Sequence, residues 1–371
     1  MYKCLSYSQY REIKVFPTLN GIRAISVLLV ILWHMSDKAW MWLSGYTGVL
    51  IFFVLSGYLI TTLLLREEDS KSVSIAAFYV RRVFRIFPLY YLTLAAYLIL
   101  VFVLKVYDAK LYIQTCNTLP LYLFYFNEFL PTVAVYSHSW SLGVEEKFYL
   151  IWPICMFILL RNRSHTRIYL TLFAVLLCSL FFDLYLTPSL NVHHLTSILL
   201  GCLLAFLLHD AGTYNICSRL IGPTSSLMVT MVFISVQLLL PYHKMVSLFY
   251  PYIVTIYIAL AVISTSNAFN FLRHKALVFI GERSYAIYLF HVICINIAER
   301  VFPVHSGSIV TSFSAAFLST VLSIAAAAIA YRAIEKPLII MGKTFSRSIT
   351  SKTISINRAI KVPATTLLKD E

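Results

Sequence analysis

Arg23 and His34 stand in the first long apolar run of the chain, GIRAISVLLVILWHM. A guanidinium or an imidazole in hydrocarbon is costly; an arginine at the centre of a spanning helix costs roughly 2.5–3.5 kcal/mol on insertion scales. Such groups persist where they face a protein interior and perform a task. Eleven residues separate the two. At 100° per residue this brings both side chains to one helical face, about 16 Å apart along the axis. A cation near one membrane surface and a titratable base deep inside suit chemistry within a bilayer. Each also has a plainer reading: Arg23 snorkels to the surface, and His34 is a buried, hydrogen-bonded histidine.

Four further stretches hold polar groups at usable spacing. In FYVRRVFRIFPLYY, Arg82 and Arg85 are three residues apart and hence neighbours on one helical face, flanked by Arg81. Two guanidinium forks near a membrane surface suit a phosphorylated ligand; they equally suit lipid anchoring. In SHSWSLGVEEKFYLIWP, Glu145 and Glu146 open a helix from the opposite side. One of them could orient or share a proton with His34, or the two could simply favour a helix N-terminus, with Ser141 as cap. GERSYAIYLFH places Ser284, Tyr288 and His291 along one side of a helix, as pocket lining or as interhelical glue. YRAIEKP puts Arg332, Glu335 and Lys336 together, where a local ion pair is expected. In GVLIFFVLSGYLIT, the small Ser56 and Gly57 point to close helix packing.

The elements that must position these groups follow from composition. Of 371 residues 60% are hydrophobic and 12% charged, with mean hydropathy +0.79. A soluble domain carries about 25% charged residues. Apolar runs near twenty residues recur from end to end, without the alternation of porin strands. The expected fold is therefore all-α: a polytopic membrane protein with about ten transmembrane helices, near 19–36, 46–65, 86–106, 142–160, 168–186, 195–209, 221–240, 248–265, 284–302 and 309–331. The polar, basic first twenty residues are followed by no small-residue cleavage site, so the first run is expected to remain as an anchor. Placing loops alternately about these spans puts 24 of the 30 Lys and Arg residues on the side of the N-terminus and five on the other, Lys147 lying within a span. That asymmetry predicts cytoplasmic termini and accounts for most of the net charge of +14. It also argues against a nucleic-acid partner, which would need the basic residues gathered on one soluble face. Three regions result: a cytoplasmic segment 1–18, a transmembrane domain 19–340, and a basic tail 341–371 expected to be disordered and to touch anionic lipid. The outer segment 107–141, rich in aromatics, is expected at the interface or re-entering the bundle. The seven cysteines form no CxxC pair, and neither a disulfide framework nor a metal site is inferred.

The order of FPTLNGIRAISVLLVILWH, GVLIFFVLSGYLIT, FYVRRVFRIFPLYY, WSLGVEEKFYLIWP, GERSYAIYLFH and YRAIEKP resembles the acyltransferase-3 family of integral membrane acyltransferases, over about residues 16–338. Asn20 stands where that family usually carries Asp. The resemblance implies an O-acyltransferase of the bacterial cytoplasmic (inner) membrane, usually moving acetyl from acetyl-CoA to a hydroxyl of an envelope carbohydrate such as a lipopolysaccharide O-antigen or an exopolysaccharide. It implies His34 as catalytic histidine with Arg23 as companion, Arg82 and Arg85 on the phosphates of coenzyme A, and Glu145 as the recurrent acid. Some relatives append an extracytoplasmic hydrolase-like domain; this chain is expected to work without one or with a separate periplasmic partner. The competing class is a transporter or flippase that uses the buried Arg, His and Glu as a substrate or proton path, and a third is a sensor or scaffold.

Overall fold

The computed structural model describes residues 4–360 apart from 36, 71–72, 132–133, 162–163, 183–192 and 305–307. Fifteen α-helices carry the described chain: α1 (Tyr7–Glu12), α2 (Pro17–His34), α3 (Thr47–Asp69), α4 (Ile75–Leu98), α5 (Ala109–Leu123), α6 (Trp140–Ile154), α7 (Ser164–Leu177), α8 (His193–His209), α9 (Ala211–Leu220), α10 (Pro223–Leu239), α11 (Lys244–Ile263), α12 (Lys275–Glu282), α13 (Ser284–Val301), α14 (Ile309–Ala330) and α15 (Lys336–Ile360). No strand occurs among the described residues. In a bilayer each backbone polar group must be satisfied within its own segment, and helices achieve that.

Each of the ten apolar segments contains a helix, the end of 168–186 lying outside the described residues. Among the described residues fewer qualify as spans by length and apolarity: five helices do so singly, and seven spans result if each of two bent pairs counts as one. The pairs are α8 with α9, bent by 101°, and α12 with α13, bent by 79°. Helix α6 does not qualify because Glu145, Glu146 and Lys147 fall together in it, and α7 and α10 are shorter.

Helix α2 begins at Pro17, whose missing N–H costs nothing at a first helical position. It ends at His34, where Met35 turns extended. Helices α3 and α8 cross backbone to backbone. Gly57 rests on the Ile198 carbonyl and Gly201 on the Val54 carbonyl, and a Cβ at either would collide with that oxygen. The segment between α4 and α6 folds back onto α4 through buried aromatics. Tyr90 stacks on Tyr125 at 4.2 Å, and the Tyr90 hydroxyl donates to the Tyr122 carbonyl (2.8 Å). Asn127 then donates to the Tyr90 and Ser139 hydroxyls (2.8 and 2.7 Å). This lattice fixes the short turn that carries His138.

Two expectations are corrected here. The region from 341 is helical through Ile360, because α15 leans on α4: Gly342 seats against Phe84, and Phe84 stacks on Phe345 at 5.6 Å. Residues 361–371 lie outside the described residues. The local ion pair in YRAIEKP is also not formed. A π turn over Tyr331–Glu335 rotates Glu335 inward, where it is 3% exposed, while Arg332 and Lys336 stay exposed.

Candidate active site

Arg23, Arg82, Arg85 and Glu145 come from three helices and line one cavity of about 90 Å³. Glu146, Glu282, Ser284 and Tyr288 share it. Arg82 lies over the rings of Tyr149 (4.9 Å) and Phe78 (5.6 Å), which hold its plane. None of the three arginines forms an ion pair within 4.0 Å among the described residues. Their neighbour Arg81 differs: it is taken up by Glu67 at 2.5 Å. Three unpaired guanidiniums facing one cavity favour an anionic ligand there.

Glu145 is held on this side of α6. It accepts from the Ser56 hydroxyl (2.6 Å), which in turn receives the Tyr149 hydroxyl (3.1 Å). Among the described residues no hydrogen bond or ion pair joins Glu145 to His34, whose Nδ1 bonds the Val30 carbonyl instead. Ser141 is not the helix cap either; Ser139 occupies that position, and the Ser141 hydroxyl instead meets the Tyr288 hydroxyl at 2.7 Å.

His34 lies at the C-terminus of α2 and borders a different cavity, of about 800 Å³. The walls are apolar and aromatic, including Trp140, Phe148, Ile151 and Leu199, with the Lys147–Glu128 ion pair (2.5 Å) among them. Helix α6 divides the two cavities: Ser141, Leu142, Glu145 and Tyr149 face the arginines, and Trp140, Val144, Phe148 and Ile151 face the other side.

The His34 Nδ1–H donates to the Val30 carbonyl (2.9 Å), so in the neutral ring the lone pair resides on Nε2. Its ring lies 4.8 Å from that of His291 and 6.2 Å from that of His138. His291 is fully buried and donates through Nδ1 to the Tyr288 carbonyl (2.5 Å). Sequence reasoning singled out His291 but passed over His138. The one signal for it is an imidazole beside Trp140 in SHSW, at the end of the segment expected at the interface or re-entering the bundle. Tyr288 ties the two sides together, because its hydroxyl donates to the His138 carbonyl (2.5 Å).

A fold that is all-helical among the described residues, with five to seven helices or helix pairs apolar and long enough to cross a membrane, is that of a multi-pass membrane protein. Comparison with known proteins makes the class specific. A family model for the acyltransferase domain of the acyltransferase-3 family matches residues 16–332, and the chain belongs to that family. It is 30% identical over 355 residues to O-acetyltransferase OatA of Staphylococcus aureus (strain NCTC 8325 / PS 47), covering 88% of this chain and 57% of that protein. It is 28% identical over 367 residues to a protein of Staphylococcus aureus (strain COL) named "Putative O-acetyltransferase SACOL0978", covering 91% of this chain and 59% of the relative. The chain thus spans less than two thirds of the length of these relatives. No solved structure matches it.

Proposed function

We propose that the chain is a membrane O-acyltransferase, most simply an O-acetyltransferase, that moves an acyl group from cytoplasmic acyl-CoA to a hydroxyl of an envelope carbohydrate. The observation that carries this reading is the convergence of Arg23, Arg82 and Arg85, unpaired among the described residues, on one cavity, whose Tyr288 leads through His291 to His34. The O-acetyltransferase names of the relatives support the same chemistry. The recurring apolar runs support about ten crossings of the bacterial cytoplasmic membrane, and the lopsided distribution of basic residues about them supports cytoplasmic termini, which would turn the arginine cavity toward the compartment that holds coenzyme A.

In this reading the arginines hold the phosphates and the thioester arm passes the Ser56–Glu145 contact toward the imidazoles. The acceptor, a lipid-linked or other envelope saccharide, reaches His34 from the larger cavity. His34 Nε2 removes the acceptor hydroxyl proton, and the oxygen attacks the thioester carbon. The C–S bond breaks with its electron pair on sulfur, and the proton passes from Nε2 to the thiolate. The helix dipole at the C-terminus of α2 favours the transient imidazolium. General base catalysis of this kind contributes typically 10²–10⁴-fold. An acyl-His34 intermediate is the variant of the same chemistry. Glu145 serves the donor side, next to Arg23 and Arg82.

The test is acetyl-CoA turnover and ester formation by the full chain with an envelope extract of the cells that make it. His34→Ala should be inserted normally and be inactive. Near-normal acylation by that variant would remove His34 from the mechanism. Solute movement without thioester consumption would favour a transporter.

A further inference from the structure

We propose that the paired hydroxyls of Ser141 and Tyr288 are the oxyanion site of the transfer, receiving the thioester carbonyl oxygen as it becomes an alkoxide. The inference rests on the acyl-transfer reading above and adds the groups that reading leaves unassigned.

Position is the first argument. Ser141 and Tyr288 both line the arginine cavity, and both are almost buried, at 5% and 6% exposed. They stand where that cavity meets the imidazoles: the Tyr288 ring is 5.5 Å from that of His291 and 6.0 Å from that of His138. His291 in turn contacts His34 at 4.8 Å. A thioester entering past the arginines meets these hydroxyls before it meets the base. Donors in a water-excluded site act on developing charge more strongly than they would in water.

Proton bookkeeping is the second argument. Tyr288 donates to the His138 carbonyl, so at the 2.7 Å contact Ser141 is the donor to Tyr288. The Ser141 hydrogen is free to swing about its Cβ–Oγ bond to a new oxygen, and the Tyr288 hydrogen, unlike a ring N–H, can turn within the phenol plane from the His138 carbonyl to a more strongly accepting alkoxide. The neighbouring imidazoles do not offer this. His34 and His291 each spend Nδ1–H on a backbone carbonyl, which leaves Nε2 as an acceptor in the neutral ring. During the reaction the acceptor oxygen forms the new C–O bond and the carbonyl electron pair moves onto oxygen. That oxygen accepts from the hydroxyls, then re-forms the double bond as the C–S bond breaks.

The experiment measures acetyl-CoA turnover by the purified full chain with the same envelope extract, alongside titration with coenzyme A. Tyr288→Phe and Ser141→Ala should each lower kcat by about 10²–10³-fold, the loss typical of one oxyanion donor. KM for acetyl-CoA and affinity for coenzyme A should stay within about threefold of wild type, since the arginines are untouched. The double variant should be far less impaired than the product of the two losses, because both hydroxyls serve one oxygen. Ser141→Thr, which keeps the hydroxyl, should recover most of the kcat. A kcat within about threefold of wild type in both single variants overturns the proposal. So does a loss expressed in KM and coenzyme A affinity, or an equal loss in Ser141→Thr and Ser141→Ala. Absence of thioester consumption and ester formation by the wild-type chain would instead overturn the acyl-transfer reading itself.

Discussion

Arg23→Gln separates a ligand-binding cation from a structural one, because the two roles predict opposite changes. Among the groups whose charges act on Arg23 are Arg85 and Arg82, which repel it, and Glu145, which attracts it. No carboxylate stands within ion-pair distance of it among the described residues. Removing the charge therefore relieves repulsion and breaks no pair, so the ligand-free protein should hold or gain stability. If Arg23 contributes a charged hydrogen bond to the donor, its loss costs about 1.5–3 kcal/mol of binding. That corresponds to a Kd for coenzyme A raised roughly ten- to hundredfold. Titration calorimetry in detergent gives the affinity, and the midpoint of thermal unfolding gives the stability. The reasoning fails if the variant unfolds earlier while coenzyme A binds as before. That would mark Arg23 as half of a structural pair, whose breakage typically costs about 3–5 kcal/mol.

Three other outcomes are expected. Arg82→Lys and Arg85→Lys should bind coenzyme A markedly less well than wild type, because lysine keeps the charge and loses the two-pronged donor; wild-type affinity in both would leave them as membrane anchors. A cysteine reporter near Lys110 should react with an impermeant reagent added outside, and one near Lys352 should not; the reverse pattern would overturn the orientation. Gly57→Ala should lower stability by about 1–3 kcal/mol, since its Cβ would press on the Ile198 carbonyl; an unchanged unfolding midpoint would mean that the crossing yields.

The helices and the residues that line the arginine cavity were legible in the sequence for physical reasons. Apolar runs are long-period signals, and an arginine in such a run is expensive enough to be conspicuous. The three-residue spacing of Arg82 and Arg85 fixed a shared face, and the structure brings that face to Arg23 and Glu145. What stayed hidden depends on partners far away in sequence. Glu145 turns from His34 because Ser56, 89 residues earlier, claims it. His138 comes within 6.2 Å of the His34 ring because Asn127 and Tyr90 fold the segment before it onto α4. The fate of YRAIEKP turned on a single π turn, and the helical course beyond 341 on the fit of Gly342 to Phe84, neither of which has a periodic signature.

The reciprocal seating of Gly57 and Gly201 also limits how the molecule can move. Each glycine holds the other helix at backbone distance, so α3 and α8 cannot slide past one another without driving a Cα into a carbonyl. Shear, the small sliding by which packed helices usually accommodate ligands, is closed to this pair. The pair therefore travels as one rigid strut, with Ser56 and its grip on Glu145 riding on it. Any opening of the arginine cavity would have to come from elsewhere, and the 79° break between α12 and α13 lies beside Glu282 and Ser284 in its wall.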